Sequence, residues 1–127
     1  MHAAYFEPRF RTERPVADWP ERFVILTAHA TTGEVWTAER CARADAALER
    51  RLAGRTGWLE RVTGYSPVSG HAEPGWGADL DPATGCALGR DFLQDALYLV
   101  DHGVLFVCHC DRPAERVRVA PFFDRLD

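Results

Sequence analysis

SPVSGHAEPGWGADL, residues 66–80, holds two serines, two prolines and three glycines, a composition that predicts a loop. At that length a loop without a function is uncommon. Counted as a loop, it separates strand, helix and strand on its N-terminal side from helix, strand and strand on its C-terminal side.

Working back toward the N-terminus, WLERVTGYSPV from Trp58 places Leu59, Val62 and Tyr65 in imperfect alternation. Its bounding glycines and Pro67 favour a strand. Before it, Thr37 is a good helix N-cap with Glu39 in the first turn. Cys41, Ala44, Leu48 and Leu52 follow at spacings of three and four until Gly54, which predicts a helix with one apolar stripe. FVILTAHA (Phe23 to Ala30) is a short apolar run rich in strand formers, expected to be a buried strand ended by Gly33.

Toward the C-terminus, Asp81 and Pro82 form an N-cap followed by a proline at the first helical position, and the helix is expected to run to about Phe92. Gly85 and Gly89 lie four apart and share a face, which suggests close approach to the sheet. ALYLVDHGVLFVCHC predicts two strands joined in a tight hairpin at Asp101-His102-Gly103. RVRVAPFF alternates arginine with valine and adds an optional edge strand that Pro121 would end. The expected fold is therefore a single domain, residues 1–127, of the α/β or α+β class. Its order is β-α-β-(long loop)-α-β-β, with a mixed β-sheet in which the first helix joins parallel strands and the hairpin is antiparallel.

A chain of 127 residues with 46% hydrophobic content is long enough to bury roughly two-thirds of the surface its unfolded form exposes. The formal net charge of -4 argues against a nucleic-acid or anionic-membrane partner, because both are found through clustered positive charge. No stretch approaches the roughly 18 apolar residues of a membrane span, and the opening residues lack a signal-peptide pattern, so a cytoplasmic location is expected. Cys41, Cys86, Cys108 and Cys110 would then be reduced thiols.

All 15 positively charged residues are arginine, and the chain holds no lysine and no asparagine. A GC-rich coding sequence accounts for that bias. Its chemical consequence is firm: Schiff-base catalysis by lysine, a Walker-type phosphate loop and a Cys-His-Asn triad are all excluded. No cofactor is expected. The CHCD run at 108–111 is a poor metal site, because two cysteines two apart on a strand lie about 7 Å from each other while a zinc needs both sulfurs within about 2.3 Å. Buried thiols are expected there instead.

AAYFEPRF, FVILTAHA, ALERRL, GHAEPGW and above all CALGRDFLQDALYLVDHGVLFV together resemble the bacterial domain of unknown function family 3293 (DUF3293). The resemblance covers most of residues 4–108. Its most specific parts are the Glu73-Pro74 pair and the pattern Ala-Leu-Gly-x-x-Phe-x-Gln-x-Ala at Ala87 to Ala96. Where that family usually carries asparagine after the first strand's Thr-Ala, and again early in the first helix, this chain has His29-Ala30 and Arg40-Cys41. The resemblance implies a fold and a place for the pocket, and no activity.

In open α/β sheets ligands bind beyond the carboxyl ends of strands. Thr27 and His29 mark that end of the first strand, and the 66–80 loop begins at that end of the second. If the two strands are parallel neighbours, His71, Glu73 and Trp76 converge with His29 in one crevice, with Gln94 as a neutral hydrogen-bonding group. The first expectation is a module that binds a small molecule or a protein through this loop. The alternative is a hydrolase-type enzyme using His29, His71 and Glu73 as acid-base groups. No GxSxG nucleophile turn accompanies Ser66 or Ser69.

Overall fold

The computed structural model describes residues 3–30 and 34–127, so Gly33, expected to end a strand, lies outside the described residues. Seven strands and two helices follow in the order β1 (Arg9–Thr12), β2 (Arg22–Thr27), α1 (Ala38–Ala53), β3 (Leu59–Tyr65), β4 (Ala72–Ala78), α2 (Pro82–Asp91), β5 (Ala96–Asp101), β6 (Val104–His109) and β7 (Arg116–Pro121). The strands form one sheet in the order β1-β3-β4-β2-β5-β6-β7. Every ladder between neighbours is antiparallel. The fold is a single α+β domain, and the mixed sheet expected from the sequence is corrected to an antiparallel one.

That correction has one source. Half of the segment expected to be a loop is β4, which pairs with β3 from Leu59–Ala78 to Tyr65–Ala72 and with β2 from Val24–Ala78 to Thr27–Gly75. Its glycines serve close backbone approach. A Cβ on Gly75 would lie 2.7 Å from the Leu26 carbonyl oxygen and 3.0 Å from that of Val62, so the strand fits between its neighbours only without a side chain there. Pro74 stands one residue past the last β2 pair, where the ladder on that side has already ended. The true loop is residues 66–71. The Ser66 hydroxyl accepts from the Val68 and Ser69 N–H groups, and the Ser66 N–H donates to the His71 carbonyl at 2.8 Å.

β2 and β3 are each antiparallel to β4 and so run in the same direction, as expected of strands joined by α1. They are not neighbours, because β4 lies between them. In the same way β4 and β5 flank β2 and are joined by α2. Two split β-α-β units thus interlock, with the connectivity of the ferredoxin-like arrangement. β1 extends that core at one edge and β6–β7 at the other. β1 went unrecognised in the sequence, being only four residues long and built on the arginine-rich stretch RFRT.

Both helices cover one face. Thr37 caps α1 by accepting from the Arg40 N–H, and Asp81 caps α2 by accepting from Thr84, as the N-cap residues predict. Leu48, Leu52, Cys86 and Leu88 pack there on Val24, Leu26, Trp76, Leu97, Leu99, Cys108 and Cys110. Full burial of each leucine contributes about 1.5–3 kcal/mol. The opposite face holds Phe10, Phe23, Ile25, Val62, Val100, Leu105 and Phe122, with Trp19, Trp58 and Tyr98 against them. Phe23 through Leu26 are all buried, so the unbroken apolar run of β2 reports burial on both faces and carries no information about strand direction.

Candidate functional site

The carboxyl end of β2, the 66–71 turn and the exit of α2 meet at one corner of the sheet. α2 ends in a Schellman motif: the Gln94 N–H bonds to the Gly89 carbonyl, the Leu93 N–H bonds to that of Arg90, and Leu93 takes a φ of 63°. This turn aims the Gln94 side chain at β2. Its amide donates to the carbonyls of His29 (2.8 Å) and Phe92 (2.9 Å) and accepts from the Thr27 hydroxyl (3.1 Å). Gln94 and Thr27 border the corner cavity, with their hydrogen bonds already directed to holding it together.

At the mouth, His71 Nε2 lies 3.0 Å from Glu73 Oε2. The His29 ring stands edge-on to that of His71, with centroids 5.7 Å apart. One ligating atom from each of His29, His71 and Glu73 falls within 4.8 Å of the others. These three expected site residues are therefore brought together, and no arginine pairs with Glu73 among the described residues.

Trp76 is not with them. Residues three apart on a strand point to opposite faces, and Trp76 faces α1, where its indole N–H donates to Asp45 Oδ1 at 3.1 Å. Arg61 stacks 3.9 Å over the Trp76 ring and grips the same carboxylate with two bonds of 2.7 and 2.6 Å. The crevice expected to hold both Glu73 and Trp76 is corrected on this ground.

Behind the mouth lies a cavity of about 310 Å³ between the sheet and the N-terminal segment. Tyr5, Phe10, Ile25 and Tyr98 supply its apolar wall, and Glu7, Glu73 and Asp95 its carboxylates; among the described residues no arginine lines it. The Tyr98 hydroxyl donates to the Tyr5 carbonyl at 2.9 Å. Burial pushes the Tyr98 phenol up from its ordinary value. Burial first, then the Asp95 and Glu73 charges, does the same for Tyr5.

Tyr5 and Tyr98 were not singled out in the sequence. The signal for Tyr98 was present in β5, where Ala96, Tyr98 and Val100 alternate with Leu97 and Leu99 on the helix side. Tyr5 arrives through a long-range contact that no local pattern encodes.

The thiols behave as the sequence suggested: Cys86, Cys108 and Cys110 are buried in the helix-side core. The hydrogen bond between Cys86 and Cys110 pushes the first thiol up and the second down. No helix is long and apolar enough to cross a membrane among the described residues.

No curated protein and no solved structure matches the chain. The family described as "Protein of unknown function (DUF3293)" matches it over residues 26–97, from the end of β2 to the start of β5, which is more than half of its length and takes in α1, β3, β4 and α2; the chain belongs to that family.

Proposed function

We propose that the protein binds a small molecule in the corner cavity, with the His71–Glu73 pair at the mouth recognising its polar end. The observation that carries this is the cavity itself: about 310 Å³ with aromatic walls and a few convergent polar groups is the ordinary form of a ligand site. Three carboxylates and no arginine in the lining favour a ligand with an amine or hydrogen-bond-donating head and a flat apolar body. A concave, aromatic-walled pocket of this size suits a small molecule better than a protein partner. The net charge of -4 speaks against nucleic acid and anionic membranes, and four free thiols fit a cytoplasmic setting.

The test is a melting-temperature screen with small amines, amino acids and nucleosides. A binder present at about 100 times its Kd stabilises the folded state by about 2.7 kcal/mol. Ala96 lines the cavity, so Ala96→Phe fills it and should abolish the shift, and Glu73→Gln should weaken it. A shift that survives Ala96→Phe would place the ligand elsewhere.

A second function is favoured by one distance. With Glu73 3.0 Å from His71, the carboxylate can orient the imidazole as a general base, which is the core of a hydrolase. Its nucleophile would be water, since Ser66, the serine at the cavity, is committed to closing its loop. Turnover of a bound ester or amide that falls at least tenfold in kcat in Glu73→Gln would establish it.

A further inference from the structure

We infer that His29, His71 and Glu73 form a binding site for a divalent transition-metal ion, with zinc the best chemical fit. Two imidazoles and one carboxylate are a donor set that zinc, cobalt and nickel favour over magnesium and calcium, which prefer all-oxygen surroundings. His71 and Glu73 stand two residues apart where the 66–71 turn enters β4, and the fold brings His29 to them from beyond the end of β2.

The distances suit an ion. Ligands about 2.0–2.1 Å from a tetrahedral zinc lie about 3.3 Å from each other. His71 Nε2 and Glu73 Oε2 are already 3.0 Å apart, and all three ligating atoms lie within 4.8 Å of one another. Among the described residues the His29 imidazole has no hydrogen-bond partner, and Glu73 has no arginine, so ligation displaces no other strong contact. Glu73 is held on a paired strand, and the His29 carbonyl is fixed by Gln94 at 2.8 Å.

Three protein ligands leave one tetrahedral position open, as in catalytic rather than structural zinc sites. Because His71 and Glu73 line the cavity, that position is offered to solvent or to an electron-pair donor in the cavity. The ion shares His71 and Glu73 with the ligand head of the proposed function, and its binding can be tested with no organic ligand present.

The experiment is a titration of chelator-treated protein with Zn²⁺ in competition with a chromogenic chelator, followed by the visible spectrum of the Co²⁺ form. One ion per chain is expected. His71→Ala and His29→Ala should each weaken binding by more than roughly 100-fold, beyond the loss that removing a mere outer partner causes. His109→Ala, on a side chain distant in the sheet, should leave it unchanged, and so should the cavity-filling Ala96→Phe. The cobalt spectrum should show no thiolate charge-transfer band, and circular dichroism of the metal-free variants should match the wild type. No stoichiometric binding, binding retained in both histidine variants, or a thiolate band that puts the ion on the buried cysteines would each overturn the proposal. Failure here with a ligand shift still lost in Ala96→Phe would leave the cavity's small-molecule role standing.

Discussion

Gly85 and Gly89 occupy the same face of α2, yet the space over them differs. A Cβ on Gly85 would lie 3.0 Å from Leu97 Cδ2 and 3.3 Å from Val24 Cγ2. Both neighbours are buried in the core and have nowhere to move. A Cβ on Gly89 meets Cys110 Sγ at 3.5 Å, Leu26 Cδ2 at 3.6 Å and Gln94 Cβ at 3.7 Å, which are ordinary contacts. Gly85→Ala should therefore destabilise by about 1–3 kcal/mol through overpacking. Gly89→Ala should stabilise by about 0.5–1 kcal/mol, because alanine loses less backbone entropy in a helix. Urea unfolding of the two variants gives both signs in one experiment. Sequence spacing placed the two glycines on one face correctly; only the side chains of β2, β5 and the 108–110 stretch distinguish them, and those come from elsewhere in the chain.

At the level of elements, the β5–β6 hairpin shows what was most legible. His102 and Gly103 both adopt positive φ, 49° and 80°, the conformation a two-residue turn between twisted strands requires. His102 Nδ1 sits 2.7 Å from Asp101 Oδ1, and that bond, with the Glu21 charge, holds the imidazole's pKa above its ordinary 6.5. Asp101 is held below 3.8, first by the Arg116 hydrogen bond and then by that of His102. Stabilisation from His102 is thus complete below about pH 6.5 and fades as pH rises through its folded value, while that from Asp101 is present above about pH 3.8 and is lost as pH falls through its own. An NMR titration should give His102 a midpoint above 6.5, and Asp101→Asn should lower it. Both helices, β2, β3, β5, β6 and the edge strand β7 follow from caps, periodicity and turn residues. β4 did not, because glycine and proline usually mark turns, whereas in AEPGWGA they mark a strand squeezed between two others. The same misassignment grouped Trp76 with Glu73, which alternation along a strand forbids, although His29, His71 and Glu73 were still identified by their residue types.

For the molecule as a whole, the sheet face away from the helices is closed by the chain's two ends. Phe122 is fully buried, with its ring centroid 5.3 Å from Trp19, 5.5 Å from Phe23 and 5.6 Å from Phe10. Phe122→Ala should cost about 3–5 kcal/mol, whereas Phe123→Ala, at a side chain 52% exposed, should cost less than half as much; chemical denaturation of each distinguishes them. The interlocked order of the sheet also bears on how the chain is made. β2 is buried on both faces from Phe23 to Leu26, yet both of its partners lie downstream of α1, the nearer ending at Ala78 and the farther at Asp101. During synthesis one of its hydrogen-bonding edges therefore stays open until Ala78 has been made and the other until Asp101, so the interlocked core cannot close before β5 exists.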